Sequence, residues 1–334
     1  MKNTIYTSLL LLSGLYADLI QPTHQDSLYS IHSLFEWDQE PDAVSYNLQV
    51  STLENFENIV IDINTTDLIY IEKNNLVWSS DYYWRVRPIY LNGELGSWID
   101  SFSFHTGFTK SNPDDVVVEI VDEVQVQDGV TIYSNSKTNN TIAYDIYGKQ
   151  VWNDANLNTA LLHLDEFGVM LGSGLQITDN LNQNIALHFN FNQDILWQGM
   201  PPNIAPYGMN NHDMKKLPNG NYLYTRNYNT LGPIPVGPWS SQFQSIGYQS
   251  NGITDEFLRQ STRLYEVNYN HEFVELWDAS ASFFVDSYDS LGGSWYYTFA
   301  NPLYFDWLHN NSIWYEQEEN AVYLSFRQLS RITK

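Results

Sequence analysis

The sequence predicts an all-β chain in which an N-terminal β-sandwich is followed by a β-propeller, incomplete in this chain. Three observations predict this. Upstream of Thr109, short segments with apolar residues at alternate positions recur between turn residues; downstream, a phrase ending in tryptophan repeats; and no segment of convincing length after Asp115 carries a helical period.

The upstream segments are Leu34, Phe35 and Trp37, then Tyr46, Leu48 and Val50, then Tyr83 to Val86, and finally Phe102 and Phe104. Period-two patterning at this spacing is that of a sandwich of short strands. The stretches FEWDQEPDAVSYNLQVS, SSDYYWRVRPIY and GELGSWIDSFSFHTG resemble successive strands of a fibronectin type III module over residues 18–108. Trp37, Tyr46, Trp84 and Trp98 read as core or edge packing, since large aromatics most often fill interiors. A polar, proline-containing hinge at Thr109 to Asp115 sets the domain boundary.

From residue 115 to 334 the repeated phrase is YDIYGKQVW, FNFNQDILW and VNYNHEFVELW, each an apolar strand, a polar turn and a second strand ending in Trp152, Trp197 or Trp277. The first two tryptophans are 45 residues apart and the next interval is 80, an excess of 35 that matches the Gly-, Pro- and Ser-rich stretch Tyr228 to Thr262. A strand-built period of about 45 residues is that of propeller blades. A second phrase, HLDEFGVMLGSG, LPNGNYLYTRN and EQEENAVYLSFR, runs offset from the first. The chain offers room for four or five blades and is expected to be a fragment of a longer propeller.

At 334 residues the chain is long enough for two or three domains, and 43% hydrophobic with 15% aromatic residues it is too apolar for disorder. Thirty-nine acidic residues against 15 Lys and Arg give a net charge of −24, which excludes a broad phosphate-tracking surface and so nucleic acid. An anion site must then be a local basic pocket in a negative envelope. The absence of cysteine removes disulfides and thiolate chemistry. Residues 1–17, MKNTIYTSLLLLSGLYA, read as a signal peptide, which implies an exported protein, periplasmic or extracellular, with no membrane span in its mature part.

NHDMKKLPNGNYLYTRN and DWLHNNSIWYEQEENAVYLSFRQLSRITK, together with YDIYGKQVW, resemble the bacterial arylsulfotransferase family across most of residues 125–334. The resemblance implies a propeller funnel that moves a sulfuryl group from a phenolic sulfate ester to a phenol, with no nucleotide donor and no cofactor. It implies catalytic roles for His212, His309 and Arg327 and substrate binding by Asn311. The family's nucleophilic histidine lies in a blade after the arginine motif, and no residue here matches it. Arg226 is a candidate second anion donor.

Residue chemistry agrees with these roles. His309 and Asn311, two apart on a strand, would share a face; a histidine titrates near neutrality and can exchange a proton with a phenol; and arginine offers a planar fork to sulfuryl oxygens. Asp306 reads as structural, and a metal site from His212, Asp213 and His309 lacks close histidine spacing. His163, His188 and His271 read as structural or surface residues. The alternative from another class is a non-catalytic secreted ligand-binding or adhesion propeller, and either reading admits a homodimer.

Overall fold

The computed structural model describes residues 17–111, 116–119, 122, 124–135, 140–165, 167–178, 181–199, 213–285, 295–300 and 302–334. Residues 1–16, within the segment read as a signal peptide, and His212 lie outside them. The chain is all-β, divided into two compact units, residues 1–132 with 142–155, and residues 133–141 with 156–334.

In the first unit, β1 (Leu19–Gln21), β3 (Ser33–Trp37) and β6 (Ile69–Glu72) form one sheet in the order β1-β3-β6. The second sheet has the order β2-β8-β7-β4-β5, from β2 (Asp26–Leu28), β4 (Ala43–Ser51), β5 (Ile59–Thr65), β7 (Ser80–Tyr90) and β8 (Ile99–Thr106). The alternating apolar residues face one another: the ring of Phe35 on β3 lies 5.3 Å from Trp84 on β7 and 5.8 Å from Phe104 on β8. Trp37, Tyr46 and Trp84 are buried, and Trp98 is an edge residue with Arg85 and Arg87 stacked over its ring at 4.0 and 4.3 Å.

The division of the chain passes through β9 (Thr131–Asn135) and β10 (Asn140–Tyr144). β11 (Gln150–Asn153) pairs with β10 and belongs to the first unit, where Ile31 donates its N–H to the Val151 carbonyl at 2.9 Å and the Trp78 indole donates to the Gln150 carbonyl at 3.0 Å. Lys110 Nζ meets the fully buried Asp154 carboxylate at 2.5 Å. The first unit therefore takes in residues 142–155, beyond the 18–108 span of the sandwich reading.

The second unit is built from antiparallel meanders. β12 (Thr159–Leu164), β13 (Met170–Thr178), β14 (Leu181–Phe189) and β15 (Ile195–Gln198) form the first, in sequence order. β16 (Met214–Lys216), β17 (Tyr222–Gly232), β18 (Phe257–Val267) and β19 (Phe273–Asp278) form the second, with β20 (Phe305–Asp306) added parallel to β18. β21 (Asn310–Glu316), β22 (Ala321–Phe326) and β23 (Arg331–Thr333) form the third. One face of the second meander packs on the first through Met214, Tyr222, Tyr224, Tyr265 and Trp197; the other packs on the third through Leu223, Leu264, Ile313, Leu324 and Phe326. Among the described residues no sheet closes on itself.

The tryptophan phrase is a structural repeat. In all three copies the first turn residue, Asp145, Asn190 or Asn268, accepts the N–H groups two and four residues on, at 2.9 to 3.0 Å. The fourth turn residue, Gly148, Gln193 or His271, has a positive φ of 82°, 63° or 66°. Each second strand then carries one extra residue before its tryptophan, so that Trp152 faces Ala143, Trp197 faces His188 and Trp277 faces Leu264 across the same irregularity. Such a bulge re-aims the side chain that follows it.

The stretch 228–262 is less of a loop than its composition suggests. β17 and β18 pair over eleven positions, from Tyr222 with Val267 to Gly232 with Phe257, leaving only residues 233–256 as the insertion, with the short helix α1 (Ser240–Ser245) inside it. Asn229, Thr230 and Leu231 are exposed, so this end of the strand has no apolar alternation to reveal it. A second short helix, α2 (Trp295–Ala300), buries Trp295 against Phe243, Phe257 and Phe305.

Candidate functional site

The residues of the DWLHNNSI segment are held by a tight turn between β20 and β21. Phe305 stacks on Trp295 at 4.1 Å, and Phe305, Trp307 and Leu308 are all buried, which fixes the backbone on both sides of Asp306. Asp306 Oδ1 accepts the His309 N–H at 3.0 Å, and its Oδ2 lies 2.5 Å from His309 Nδ1. A carboxylate on Nδ1 holds an imidazole in one orientation and favours the tautomer whose Nε2 carries the lone pair. Asp306 is thus structural, as its sequence context suggests, and it also orients the histidine.

His309 itself is not in a strand. It precedes β21 and adopts a φ of +49°, so the two-residue alternation expected to place His309 and Asn311 on one face does not hold. The Asp306 cap bends the backbone there, and Asn311 falls where the register with β22 shifts, between Asn310 and Ser312. Asn310 is the buried member of the pair: its Oδ1 accepts the Thr225 hydroxyl at 2.7 Å and its Nδ2 donates to the Ser325 carbonyl at 3.1 Å. The family motif points to Asn311, whereas the buried and hydrogen-bonded asparagine is its neighbour Asn310.

Arg327 follows β22 and joins the same corner through its backbone, donating its N–H to the His309 carbonyl at 3.0 Å. Its side chain is exposed, and among the described residues no carboxylate forms an ion pair with it. A histidine oriented by aspartate and an exposed arginine therefore share one corner. This arrangement can move a proton and bind an anion.

Arg226 sits elsewhere. It faces Arg263 across β17 and β18, whereas its neighbour Thr225, bonded to Asn310, points to the opposite face of the strand. On the Arg226 face, Arg263 lies over the Tyr228 ring at 4.1 Å and donates Nε to Asp278 at 2.8 Å, while Tyr228 and Ser280 donate to the same carboxylate. Burial alone would raise the Asp278 pKa, but these hydrogen bonds outweigh it and hold it below the usual carboxylate value. The Asp278 hydrogen bond raises the Arg263 pKa further above its ordinary value.

Asp213, beside His212, ties two meanders together: its Oδ2 accepts the Ile313 N–H at 2.8 Å and its Oδ1 the Met214 N–H at 2.9 Å. Among the described residues no three His, Asp or Glu side chains are grouped as metal ligands, and no helix is long and apolar enough to cross a membrane. His188, read from sequence as structural, is buried with Nδ1 2.9 Å from the Tyr222 hydroxyl, and Trp197 stacks on Tyr222 at 3.9 Å.

No known family matches the chain, and no curated protein matches it. Among solved structures it is similar to a Fn3-like protein from Clostridium thermocellum, at 19% identity and a TM-score of 0.22 over 26% of this chain and 91% of that one. It is also similar to an α-L-rhamnosidase from Dictyoglumus thermophilum, at 9% identity and a TM-score of 0.24, and to a native α-L-rhamnosidase from Aspergillus terreus, at 10% and 0.22; each match covers 78% of this chain. The chain spans 28% of the length of each rhamnosidase.

Proposed function

We propose that the chain is an exported aryl sulfotransferase, with a fibronectin type III-like module ahead of propeller blades. It transfers a sulfuryl group from a phenolic sulfate ester to a phenol. The observation that carries this reading is the corner where Asp306 orients His309 and the Arg327 N–H bonds the His309 carbonyl. The stacked antiparallel meanders and their repeated hairpins support the blade reading.

In this mechanism the Arg327 fork holds the sulfuryl oxygens, whose charge grows on the way to the transition state. His309, with Nδ1 held by Asp306, uses Nε2 to accept the proton of the incoming phenol as its oxygen bonds to sulfur, while the old S–O bond breaks and the donor's aryl oxide departs as a phenolate that takes its proton from water. Asn311 donates to the same group, and His212 keeps the catalytic role that the family resemblance implies.

The test is nitrophenol release from nitrophenyl sulfate. Added phenol should accelerate release, Arg327→Ala should abolish it with an unchanged near-UV circular dichroism spectrum, and Asp306→Asn should slow it by roughly 10²-fold. Release that ignores phenol would mean hydrolysis, and saturable binding without product would mean a binding protein; either result overturns the proposal.

A further inference from the structure

At the opposite end of β21 and β22 from His309, about 20 Å away along a seven-residue strand, a second cleft opens between the second and third meanders. Its volume is about 430 Å³, within the range of small-ligand sites. Leu217, Leu223, Leu276 and Val322 form its apolar wall, and Glu266, Gln317 and Asn320 supply polar groups.

Glu266 is the unusual member. It sits half-buried on the central strand β18, paired with Leu223 on one side and Val274 on the other. Both amides that reach it use the same oxygen, Asn219 Nδ2 at 3.1 Å and Asn221 Nδ2 at 2.6 Å on Oε1. Among the described residues Oε2 has no hydrogen bond, and none of the cleft residues is cationic. At the rim, Asn320 Oδ1 accepts the Tyr315 hydroxyl at 3.0 Å, which leaves its Nδ2 as a donor, and Gln317 adds both a donor and an acceptor.

The polar groups therefore alternate in kind: Glu266 Oε2 accepts, Asn320 Nδ2 donates and Gln317 does both. An ammonium would use only the acceptors and an anion only the donors, and an anion would also meet the Glu266 carboxylate inside a chain of net charge −24. A hydroxyl both donates and accepts, so a ring of hydroxyls satisfies all three while its C–H face covers the leucine and valine wall.

We propose that this cleft binds a neutral sugar ring, with Glu266 as its principal acceptor. The site is separate from the His309 corner and stands whether or not the chain transfers sulfuryl groups.

The experiment is saturation-transfer NMR on the full chain with glucose, galactose, mannose, rhamnose, xylose and N-acetylglucosamine, followed by calorimetry on whichever sugar responds. At least one should bind with a millimolar or better Kd. Glu266→Gln should weaken it at least tenfold, and so should Leu276→Trp, which fills the cleft without touching the Asn219 and Asn221 contacts. Arg327→Ala should leave binding unchanged. No response from any of the six sugars overturns the proposal, as does binding that survives both cleft variants or is lost with Arg327→Ala. If Glu266→Gln alone disturbs the fold, Leu276→Trp decides the question.

Discussion

Glu72 has no exposed surface, yet it is a carboxylate at the end of β6. Burial pushes its pKa up, and hydrogen bonds from the Asn75 and Asn74 N–H groups, the Asn75 side chain and the Tyr70 hydroxyl outweigh this and bring it below the ordinary value. The folded protein therefore holds the Glu72 proton less tightly than the unfolded chain, so the stabilisation is complete above the ordinary glutamate pKa and is lost as pH falls through the lower folded value. Glu72→Gln replaces a carboxylate that accepts from four donor groups with one good acceptor and one misplaced donor. It should cost about 1–3 kcal/mol in a urea melt at neutral pH, and the cost should shrink in acid. His188 acts through the same linkage with the opposite charge. Burial lowers its pKa, nearby Lys216 lowers it further and Asp165 opposes them, while Tyr222 and Trp197 pack around the ring. Below the ordinary histidine pKa the unfolded chain takes up a proton that the folded one refuses, so stability declines as pH falls from 6.5 towards the lower folded value. Melts at pH 7 and pH 5 should show this loss, and His188→Gln should reduce the difference between them.

At the level of the elements, the repeated hairpins make different demands on the same position. Gly148 meets a φ of 82° without penalty, but Gln193 and His271 hold 63° and 66° with side chains attached. A left-handed residue with a Cβ costs roughly 1–2 kcal/mol, and glycine adds roughly 0.5–1 kcal/mol of unfolded-state entropy. Gln193→Gly should therefore stabilise the chain by roughly 0.5–1 kcal/mol, whereas His271→Gly also gives up a ring stacked 5.9 Å from Trp197 and should gain less. Gly148→Ala should destabilise it, because the new Cβ would lie 3.0 Å from Val118 Cγ2 as well as in the strained region. These hairpins were legible in the sequence because a polar turn of fixed length and a tryptophan recur together. The bulge before each tryptophan was not, since Val151, Leu196 and Leu276 look like ordinary strand residues. The candidate site was legible only in part for a related reason. His309 and Arg327 do meet in one corner, but strand alternation was the wrong geometry for a histidine capped by Asp306 in the left-handed region. Arg226 could be placed on a face only once its register opposite Arg263 was known, and the inward asparagine proved to be Asn310.

For the molecule as a whole, charge is the property that composition states most directly. Thirty-nine acids and 15 bases leave −24, and the folded state concentrates that charge in a smaller volume than the unfolded chain does. Local pairing relieves little of it. The ion pairs include exposed ones such as Lys73 with Asp128 and Lys334 with Glu319, of the kind worth only about 0–1 kcal/mol. Screening should then matter more than pairing. Raising salt from 0.01 to 0.15 M shortens the Debye length from about 30 to about 8 Å, which weakens long-range repulsion between acids across the surface while leaving close pairs such as Lys110 with Asp154 nearly intact. The melting temperature should therefore rise over this range in sodium chloride, and on the proposed sulfotransferase reading the same screening should raise kcat/KM for an anionic aryl sulfate crossing the negative envelope to reach Arg327. A melting temperature that falls with salt would mean that attractive surface pairs outweigh the net repulsion. A kcat/KM that falls with salt would mean that the approach to Arg327 is governed by a local positive field strong enough to overcome the other charges of the chain.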